Sequence, residues 1–557
     1  MSFAPRWPST FQPGPDEASS SRGERGAVAS TDVLATRVGL DVLAGGGNAV
    51  DGAVAVALAL AVVNPEAGNL GGGGFVLLRW ADGSVHAQDH RSTAPAAATP
   101  DMFWAADGGV SEASVIGPLA AAVPGSVAGL FDLHRRWGRL SWGRLVEPAV
   151  GLAQGFTVRP RYLESLPPHI VDGLSRFPES AAVFLPGGEP PAVGSTLVQS
   201  DLADTLRRLR DNGVDGFYTG PTADRLVDGV RDAGGVITHE DLASYRPVWR
   251  APVRFAWGDH TVWSMPPSSS GGVTLALARH ALGARPSGLQ PWHDVDHLHW
   301  VIEAWRRAFA DRNHWLGDTD AVDVPLETLL DPAYGRTRGG DIDPGMATPS
   351  AAVRPGAVPP PEGRHTTHVS VVDEDGAAVS YTTTLNTWYG SKMVAPGTGV
   401  LLNNEMDDFT ARTGVPNFFG LIQGEANAIA PGKRMLSAMT PTIVTGPDGG
   451  LRLVVGSPGG ATIITTVFQV VSNVVDYGMS LPDAVAAPRV HHQHLPDRID
   501  VEPGGLSIEV IAALRERGHT VVEAKERWGD VEAVEVLADG ILEAVADPRR
   551  GGRALAR

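Results

Sequence analysis

A pair of β-rich segments separated by an acidic turn restricts the fold of this chain more than any other feature. Residues 367–372 and 377–385 are rich in valine and threonine, and Asp375-Gly376 ends the turn between them. This pattern predicts a β-hairpin. Thr366 stands at the head of the first strand, just after a segment rich in proline and glycine, residues 353–363. The sequence therefore places a hydroxyl side chain where a loop enters a sheet.

This position of Thr366 suits an N-terminal nucleophile. Cleavage of the His365–Thr366 bond would give Thr366 a free α-amine, whose reference pKa of about 8 leaves a sizeable fraction unprotonated near neutral pH. The amine could remove the proton from the hydroxyl of the same residue, so that no separate histidine base is needed. The alternative is that Thr366 is an ordinary strand residue, because threonine favours β-structure. The hairpin alone does not decide between the two.

Four motifs, in order along the chain, decide in favour of the nucleophile. They are TTH-x-S-V-V from Thr366, TLN from Thr384, NNEMDDF at residues 403–409 and GSPGG at residues 456–460. Together they resemble the active-site blocks of the γ-glutamyltransferases (γ-glutamyl transpeptidases), which are N-terminal-nucleophile hydrolases. The resemblance runs from about Gly26 to about Gly552, nearly the whole chain. It implies a transferase and hydrolase that is made as a zymogen and cleaves itself.

The resemblance also implies an α+β fold, namely a four-layer αββα sandwich built from two autoprocessed subunits. The predicted cut gives a large (alpha) subunit, residues 26–365, which ends in the Pro/Gly-rich linker, and a small (beta) subunit, residues 366–557. Residues 1–25 are polar and rich in proline, serine and glycine, so we expect a flexible arm there. Strands from both subunits would share the sheets and hold the fragments together.

Individual roles follow from the resemblance, residue by residue. Thr366 would be the nucleophile and Thr384 the threonine that orients it. Gly459 and Gly460 precede a predicted helix, whose first N–H groups lack helical partners and can stabilise an oxyanion. The substrate's α-carboxylate would meet Arg91 and Ser437, and its α-ammonium would meet Asn386, Glu405 and Asp408.

Two positions depart from the pattern of many relatives. Ala438 stands where a second serine is common, so one hydrogen bond to the substrate carboxylate is missing. Phe419 stands in the lid (residues 410–424), at a position where relatives often have a tyrosine. That tyrosine closes the lid against the asparagine that Asn386 matches. We therefore expect a weaker or absent lid latch. Both changes concern substrate recognition and leave the nucleophile and the oxyanion glycines unchanged.

Composition excludes several other classes of protein. The net charge of −18 argues against a nucleic-acid partner. The chain has no cysteine, which excludes disulfides, thiolate metal sites and a cysteine nucleophile. One short segment contains His491, His492 and His494. Neighbouring positions on such a segment rarely all face one ion, so we predict no metal and no cofactor. The most apolar run, residues 53–63, is too short for a bilayer, and the N-terminal residues contain no secretory apolar region, so we expect a cytoplasmic protein with no membrane partner.

The favoured substrate is a γ-glutamyl amide such as glutathione, with water, an amino acid or a peptide as acceptor. Two alternatives stay open at this stage. One is a related threonine amidase of different substrate range, such as a glutaryl-cephalosporin acylase or a small-amide hydrolase. The other is an uncleaved, inactive homologue that binds amino acids or peptides.

Overall fold

Two seven-stranded sheets, stacked face to face, organise the chain. The structure is a computed structural model that describes residues 19–286, 288, 290–356, 367–422 and 424–557. Thr366 and the predicted cleavage site at His365–Thr366 lie outside the described residues, as do residues 1–18 of the predicted arm.

The strands are short and antiparallel in both large sheets. In chain order they are β1 (Ser19–Gly23), β2 (Gly26–Ser30), β3 (Gly73–Arg79), β4 (Val85–His90), β5 (Phe156–Thr157), β6 (Thr196–Leu197), β7 (Val248–Arg250), β8 (Val253–Trp257), β9 (His260–Ser264), β10 (Thr367–Asp373), β11 (Ala378–Thr384), β12 (Val394–Ala395), β13 (Val400–Leu401), β14 (Thr442–Thr445), β15 (Leu451–Gly456), β16 (Val490–His491), β17 (Ile499–Val501), β18 (Val521–Glu523), β19 (Glu532–Val536), β20 (Leu542–Ala546) and β21 (Arg553–Ala556).

Helices flank the sheets and fill the connections between strands. They are α1 (Val33–Ala44), α2 (Ala49–Val63), α3 (Ser126–Trp137), α4 (Trp142–Ala153), α5 (Pro160–Glu164), α6 (Pro168–Ser175), α7 (Pro178–Phe184), α8 (Ser200–Asn212), α9 (Asp215–Tyr218), α10 (Gly220–Asp232), α11 (His239–Ser244), α12 (Gly271–Ala281), α13 (Val295–Trp315), α14 (Leu326–Leu330), α15 (Pro332–Gly339), α16 (Thr462–Val475), α17 (Leu481–Ala486) and α18 (Ile508–Glu516).

The predicted hairpin is present as β10 and β11, at the centre of one sheet. The order of that sheet is β21-β2-β10-β11-β3-β4-β7, and the order of the other is β1-β20-β19-β15-β14-β9-β8. In both sheets, strands from before residue 357 lie beside strands from after residue 366. Cleavage between the two parts would therefore leave each sheet hydrogen-bonded across the cut.

Three apolar cores separate four layers, which confirms the predicted αββα sandwich. Val369 and Val371 of β10 face α2, whose residues are all buried, within the first core. Val372 lies between the two sheets, in the second core. The third core joins the other sheet to α12, α13 and α16. Side chains alternate between faces along a strand, so β10 contacts a helix layer on one face and the second sheet on the other.

The ordered sheet begins earlier than the predicted arm boundary at residue 25. Ser19–Gly23 form β1, which pairs antiparallel with β20 from Ser19–Ala546 to Gly23–Leu542. The Arg22 side chain donates from Nε to Glu543 at 2.8 Å. Backbone pairing with β20 thus makes a polar segment, whose composition alone predicts flexibility, the edge strand of the sheet.

The three histidines near residue 492 contact different partners. His491 Nδ1 lies 2.8 Å from Thr465 Oγ1, whereas His494 Nε2 lies 3.0 Å from the Ser350 carbonyl. Within the described ranges, no group of three or more metal-ligating side chains is arranged to hold an ion. No helix in the described part of the chain has both the length and the apolar character needed to cross a membrane.

Candidate active site

The start of β10 and the end of β11 meet at one edge of the sheet. Antiparallel pairing joins Thr367 to Thr383, and Thr384 pairs on its other side with Gly73 of β3. Thr367 Oγ1 lies 2.7 Å from Thr31 Oγ1, and Thr384 Oγ1 accepts the N–H of Asn386 at 2.8 Å. Buried hydroxyl groups therefore cluster where the first strand of the hairpin begins.

A cavity of about 520 Å³ opens beside this edge. Four of its lining residues are ones that the sequence singles out: Thr384, Asn386, Phe419 and Gly459. Its other walls come from the α2–β3 connection, α6 and the C-terminal segment, with Glu66, Glu112, His169, Arg176, Trp388, Lys392, Trp528 and Arg550 among them. The volume suits a small-molecule site.

Gly459 and Gly460 lie between β15 and α16, and Gly459 lines the cavity. Their φ angles are 134° and 65°, in the region that favours glycine. A Cβ on Gly459 would lie 2.5 Å from Thr462 Oγ1. Neither glycine N–H has a hydrogen-bond acceptor among the described residues, although the Gly459 carbonyl accepts from Thr462. Both amides thus have no acceptor within the part of the chain that the structure describes, and Gly459 lines the cavity.

Asn386 follows β11 in a left-handed conformation, with φ of 81°. Its Nδ2 donates to the Asn404 carbonyl at 2.9 Å, which fixes the side chain against the NNEMDDF block. Its Oδ1 is buried, and no group among the described residues donates a hydrogen bond to it. Phe419 lines the same cavity and has no hydroxyl to offer that oxygen. Of the two side chains that a tyrosine–asparagine latch needs, this chain thus has the asparagine and not the tyrosine.

Arg91, Glu405 and Asp408 form one buried ionic cluster. Arg91 Nη1 lies 2.8 Å from Glu405 Oε2, and Arg91 Nη2 pairs with Asp408 Oδ2; all three side chains are fully buried. Burial raises the pKa of Glu405, and the Arg91 charge lowers it. Arg91, predicted to bind the substrate carboxylate, therefore contacts Glu405 and Asp408, predicted to bind the substrate ammonium, and none of the three is among the residues that line the cavity.

Ser437 and Ala438 lie deeper than the cavity lining. Ser437 Oγ accepts the Met439 N–H at 3.2 Å, and the Ser437 N–H donates to the Ser268 carbonyl at 2.8 Å. Ala438 is fully buried among the apolar side chains of the third core. A serine hydroxyl at position 438 would therefore lie among apolar side chains.

Two residues at this site were missed by the sequence analysis. Lys392 lines the cavity with φ of 66°, and its Nζ donates to Thr387 Oγ1 at 3.0 Å and to the Gly390 carbonyl at 2.7 Å. Burial lowers its pKa to about 7. Asp407 is buried against the lid. A lone lysine in a loop is normally solvated, so the sequence gives no signal for Lys392. Asp407 lies inside the NNEMDDF motif, between the predicted site residues Glu405 and Asp408.

Comparison with known proteins agrees with this geometry. Residues 35–557 match the family model for gamma-glutamyltranspeptidase. The chain is 45% identical over 530 residues to the glutathione hydrolase proenzyme of Escherichia coli strain K12, covering 95% of this chain and 91% of that protein. It is 35% identical over 554 residues to the acylase ACY 1 proenzyme of Pseudomonas sp. strain V22, covering 97% and 95%.

A solved structure gives the same result for the fold. The crystal structure of cephalosporin acylase from Bacillus halodurans superposes with a TM-score of 0.85 at 27% identity, covering 100% of this chain and 99% of that one. The family model spans most of the chain, and the curated relatives are matched over nearly their full length. The chain therefore belongs to the gamma-glutamyltranspeptidase family of N-terminal-nucleophile hydrolases.

Proposed function

We propose that this enzyme is an autoprocessing γ-glutamyltransferase and glutathione hydrolase whose nucleophile is Thr366. The observation that carries the assignment is the hairpin register. Thr367, which directly follows the proposed nucleophile in the sequence, pairs with Thr383 at the edge of the sheet. Thr384, the neighbour of Thr383, and Gly459 line one cavity, which supplies an orienting hydroxyl and an oxyanion donor.

The reaction needs only groups of this chain. The Thr366 hydroxyl attacks the γ-amide carbonyl while its α-amine takes the hydroxyl proton. The amides of Gly459 and Gly460 donate to the oxyanion, and the loss of one such donor typically costs roughly 10²–10³ in rate. The α-ammonium then protonates the leaving amine. Water, an amino acid or a peptide attacks the acyl-enzyme and restores the free hydroxyl.

Substrate recognition uses the buried ionic cluster. Arg91 carries one positive charge, and Glu405 and Asp408 carry two negative charges at close range. The α-carboxylate of a γ-glutamyl group is a partner for the planar Arg91 guanidinium, with Ser437 beside it. The α-ammonium is a partner for the two carboxylates and for the free Asn386 Oδ1. A zwitterion thus exchanges one set of ion pairs for another, without leaving a buried charge alone.

Self-cleavage defines the two subunits, residues 1–365 and 366–557. On a denaturing gel we expect two bands, and intact mass spectrometry is expected to place the start of the smaller fragment at residue 366. Thr366→Ala is expected to abolish both cleavage and turnover, because it removes the attacking oxygen of both reactions. Cleavage of this variant at His365–Thr366 would show that the nucleophile is another residue. A single persistent chain of wild-type protein would favour an inactive binding homologue.

An acylase with another substrate range is the second candidate. It is supported by the structural match to a cephalosporin acylase and by Ala438 and Phe419, which alter two recognition positions. The higher identity to a glutathione hydrolase proenzyme, 45% against 35% for an acylase, favours the first candidate. Turnover of γ-glutamyl-p-nitroanilide against a glutaryl amide separates them. Release from the glutaryl amide alone would establish the acylase.

A further inference from the structure

A second buried carboxylate lies beside the ionic cluster and has no part in the proposed reaction. Asp407 is in the 3-10 turn Glu405–Asp408 and is 4% exposed. Ser114 Oγ donates to its Oδ1 at 3.2 Å, and the backbone N–H of Phe418 donates to its Oδ2 at 3.3 Å. One donor comes from the segment beside the cavity and the other comes from the tip of the lid. Asp407 therefore joins the lid to the turn that carries Glu405 and Asp408.

The rest of the lid is fastened at its base. The Thr410 N–H donates to the Asn427 carbonyl at 2.9 Å, and Trp104 Nε1 donates to the Ala411 carbonyl at 2.9 Å. At the tip of the lid, the Phe418 side chain is 60% exposed and packs edge-to-face against Phe419, with ring centroids 4.8 Å apart. Both rings line the cavity. The hydrogen bond to Asp407 thus fixes the part of the lid that covers the cavity mouth.

The lid cannot form the tyrosine–asparagine hydrogen bond described above. Phe419 stands at the position where a tyrosine is common, and it has no hydroxyl. The acceptor that such a hydroxyl would meet, Asn386 Oδ1, is buried and accepts no hydrogen bond from the residues that the structure describes. The donor is missing while the acceptor is in place, so closure has to depend on another contact.

We propose that Asp407 is a positioning residue that holds the lid closed over the γ-glutamyl pocket in this chain, which has phenylalanine and not tyrosine at position 419. The proposal rests on the proposed function insofar as it takes the cavity to be the substrate pocket. Asp407 acts through the Phe418 backbone, and it needs no contact with the reacting atoms.

The protonation state of Asp407 sets the strength of this latch. Burial raises the pKa of Asp407 to about 7, and the hydrogen bonds from Phe418, Ser114 and Asn386 lower it without any charged group among the causes. Because burial under the lid is the largest influence on this pKa, the charged form is less favourable with the lid closed than with Asp407 exposed to water. The lid is therefore expected to be held less firmly above pH 7 than below it.

Limited proteolysis and steady-state kinetics on processed enzyme test the proposal together. For Asp407→Ala we expect cutting within residues 410–424 to be several-fold faster and the KM for γ-glutamyl-p-nitroanilide to rise roughly tenfold, since a hydrogen bond to a charged group is lost. The fall in kcat should be smaller. Thr413→Ala alters an exposed lid side chain that does not contact Asp407, and it should leave both measurements unchanged.

A rescue variant separates a latch from a general structural role. Phe419→Tyr in the Asp407→Ala background supplies a hydroxyl for Asn386 Oδ1, and we expect it to recover most of the lost protection and most of the KM. Phe419→Tyr alone should change little, because the lid is already held. If Asp407→Ala fails to fold, Ser114→Ala and Asp407→Asn replace it: the first should loosen the lid mildly, and the second should keep the latch but lose its pH dependence.

The outcomes divide cleanly. Wild-type rates of lid cutting in Asp407→Ala, or in Ser114→Ala if that variant is used, would overturn the proposal, and so would a double variant that recovers nothing. Faster cutting with an unchanged KM would support the latch and show that the substrate binds elsewhere, which would refute the proposed pocket and not the latch.

Discussion

Asp407 and Asp408 are neighbours in one turn, yet they face opposite kinds of surroundings. Asp408 points at Arg91, and together with Glu405 it forms a buried cluster in which every charge has an opposite charge beside it. Asp407 faces the lid, and its partners are the Ser114 hydroxyl, the Phe418 backbone N–H and the Asn386 side-chain amide. One residue along the turn thus separates two kinds of carboxylate. Asp408 lies on a compensated side, next to an opposite charge, and Asp407 lies on an uncompensated side, next to neutral groups.

The compensated side should give the largest effect when it is broken. Arg91→Met leaves Glu405 and Asp408 buried without their cation, and removing one partner of a buried pair typically costs about 3–5 kcal/mol. We expect a loss of unfolding free energy of that size, measured by chemical denaturation. Glu405→Gln and Asp408→Asn added to Arg91→Met should recover part of it, because the remaining charges are then removed.

A matched surface pair provides the control for that experiment. Arg210 contacts Glu147 at 2.8 Å, with side chains 31% and 59% exposed. Arg210→Met should change the unfolding free energy by less than about 1 kcal/mol, as exposed pairs do. Equal losses for the buried and the surface variant would mean that burial does not govern the energetics of the cluster.

On the uncompensated side, a pH dependence is the expected result. Asp407 has a pKa of about 7 in the folded protein and about 3.9 in the unfolded chain, so the folded state binds more protons between these values. Its contribution to stability therefore falls as pH rises from about 4 to 7, by up to roughly 1.4 kcal/mol per pH unit. Asp407→Asn should gain stability relative to wild type over this range and reach a constant difference above pH 7.

Denaturation series at several pH values check that expectation. Titrations of all other groups cancel in the difference between Asp407→Asn and wild type, so the difference isolates Asp407. A flat difference between pH 4 and pH 7 would mean that the Asp407 carboxyl titrates near its ordinary value despite its burial.

Lys392 offers a test of opposite sign. Burial lowers its pKa to about 7, below the unfolded value of about 10.4, so the unfolded chain binds more protons between them. The stability of wild type relative to Lys392→Met should therefore rise as pH increases from about 7 to 10. Lys392→Met also removes two hydrogen bonds, which shifts the stability difference by a constant amount and leaves its slope with pH to the titration. An unchanged difference across this range would show that Lys392 titrates normally.

Much of the fold followed from the sequence because local rules and tertiary packing agree there. The hairpin at β10 and β11 carries alternating β-branched side chains that suit two buried faces. Asn48 caps α2 through a capping box with Asp51, and every residue of that apolar helix is buried. The glycine pair before α16 lies at a helix start beside the cavity, as predicted.

The sequence by itself determined the family, the order of the motifs and the residue types that the chemistry needs, because those depend on local pattern and on covalent structure. Only the tertiary structure decided how these groups face one another. It paired Arg91 with Glu405 and Asp408, moved the start of the sheet into the predicted arm, and placed Asp407 under the lid. Contacts such as Ser114 with Asp407 join residues far apart in the chain, and the direction of a side chain across such distances is set by packing and not by neighbours in sequence.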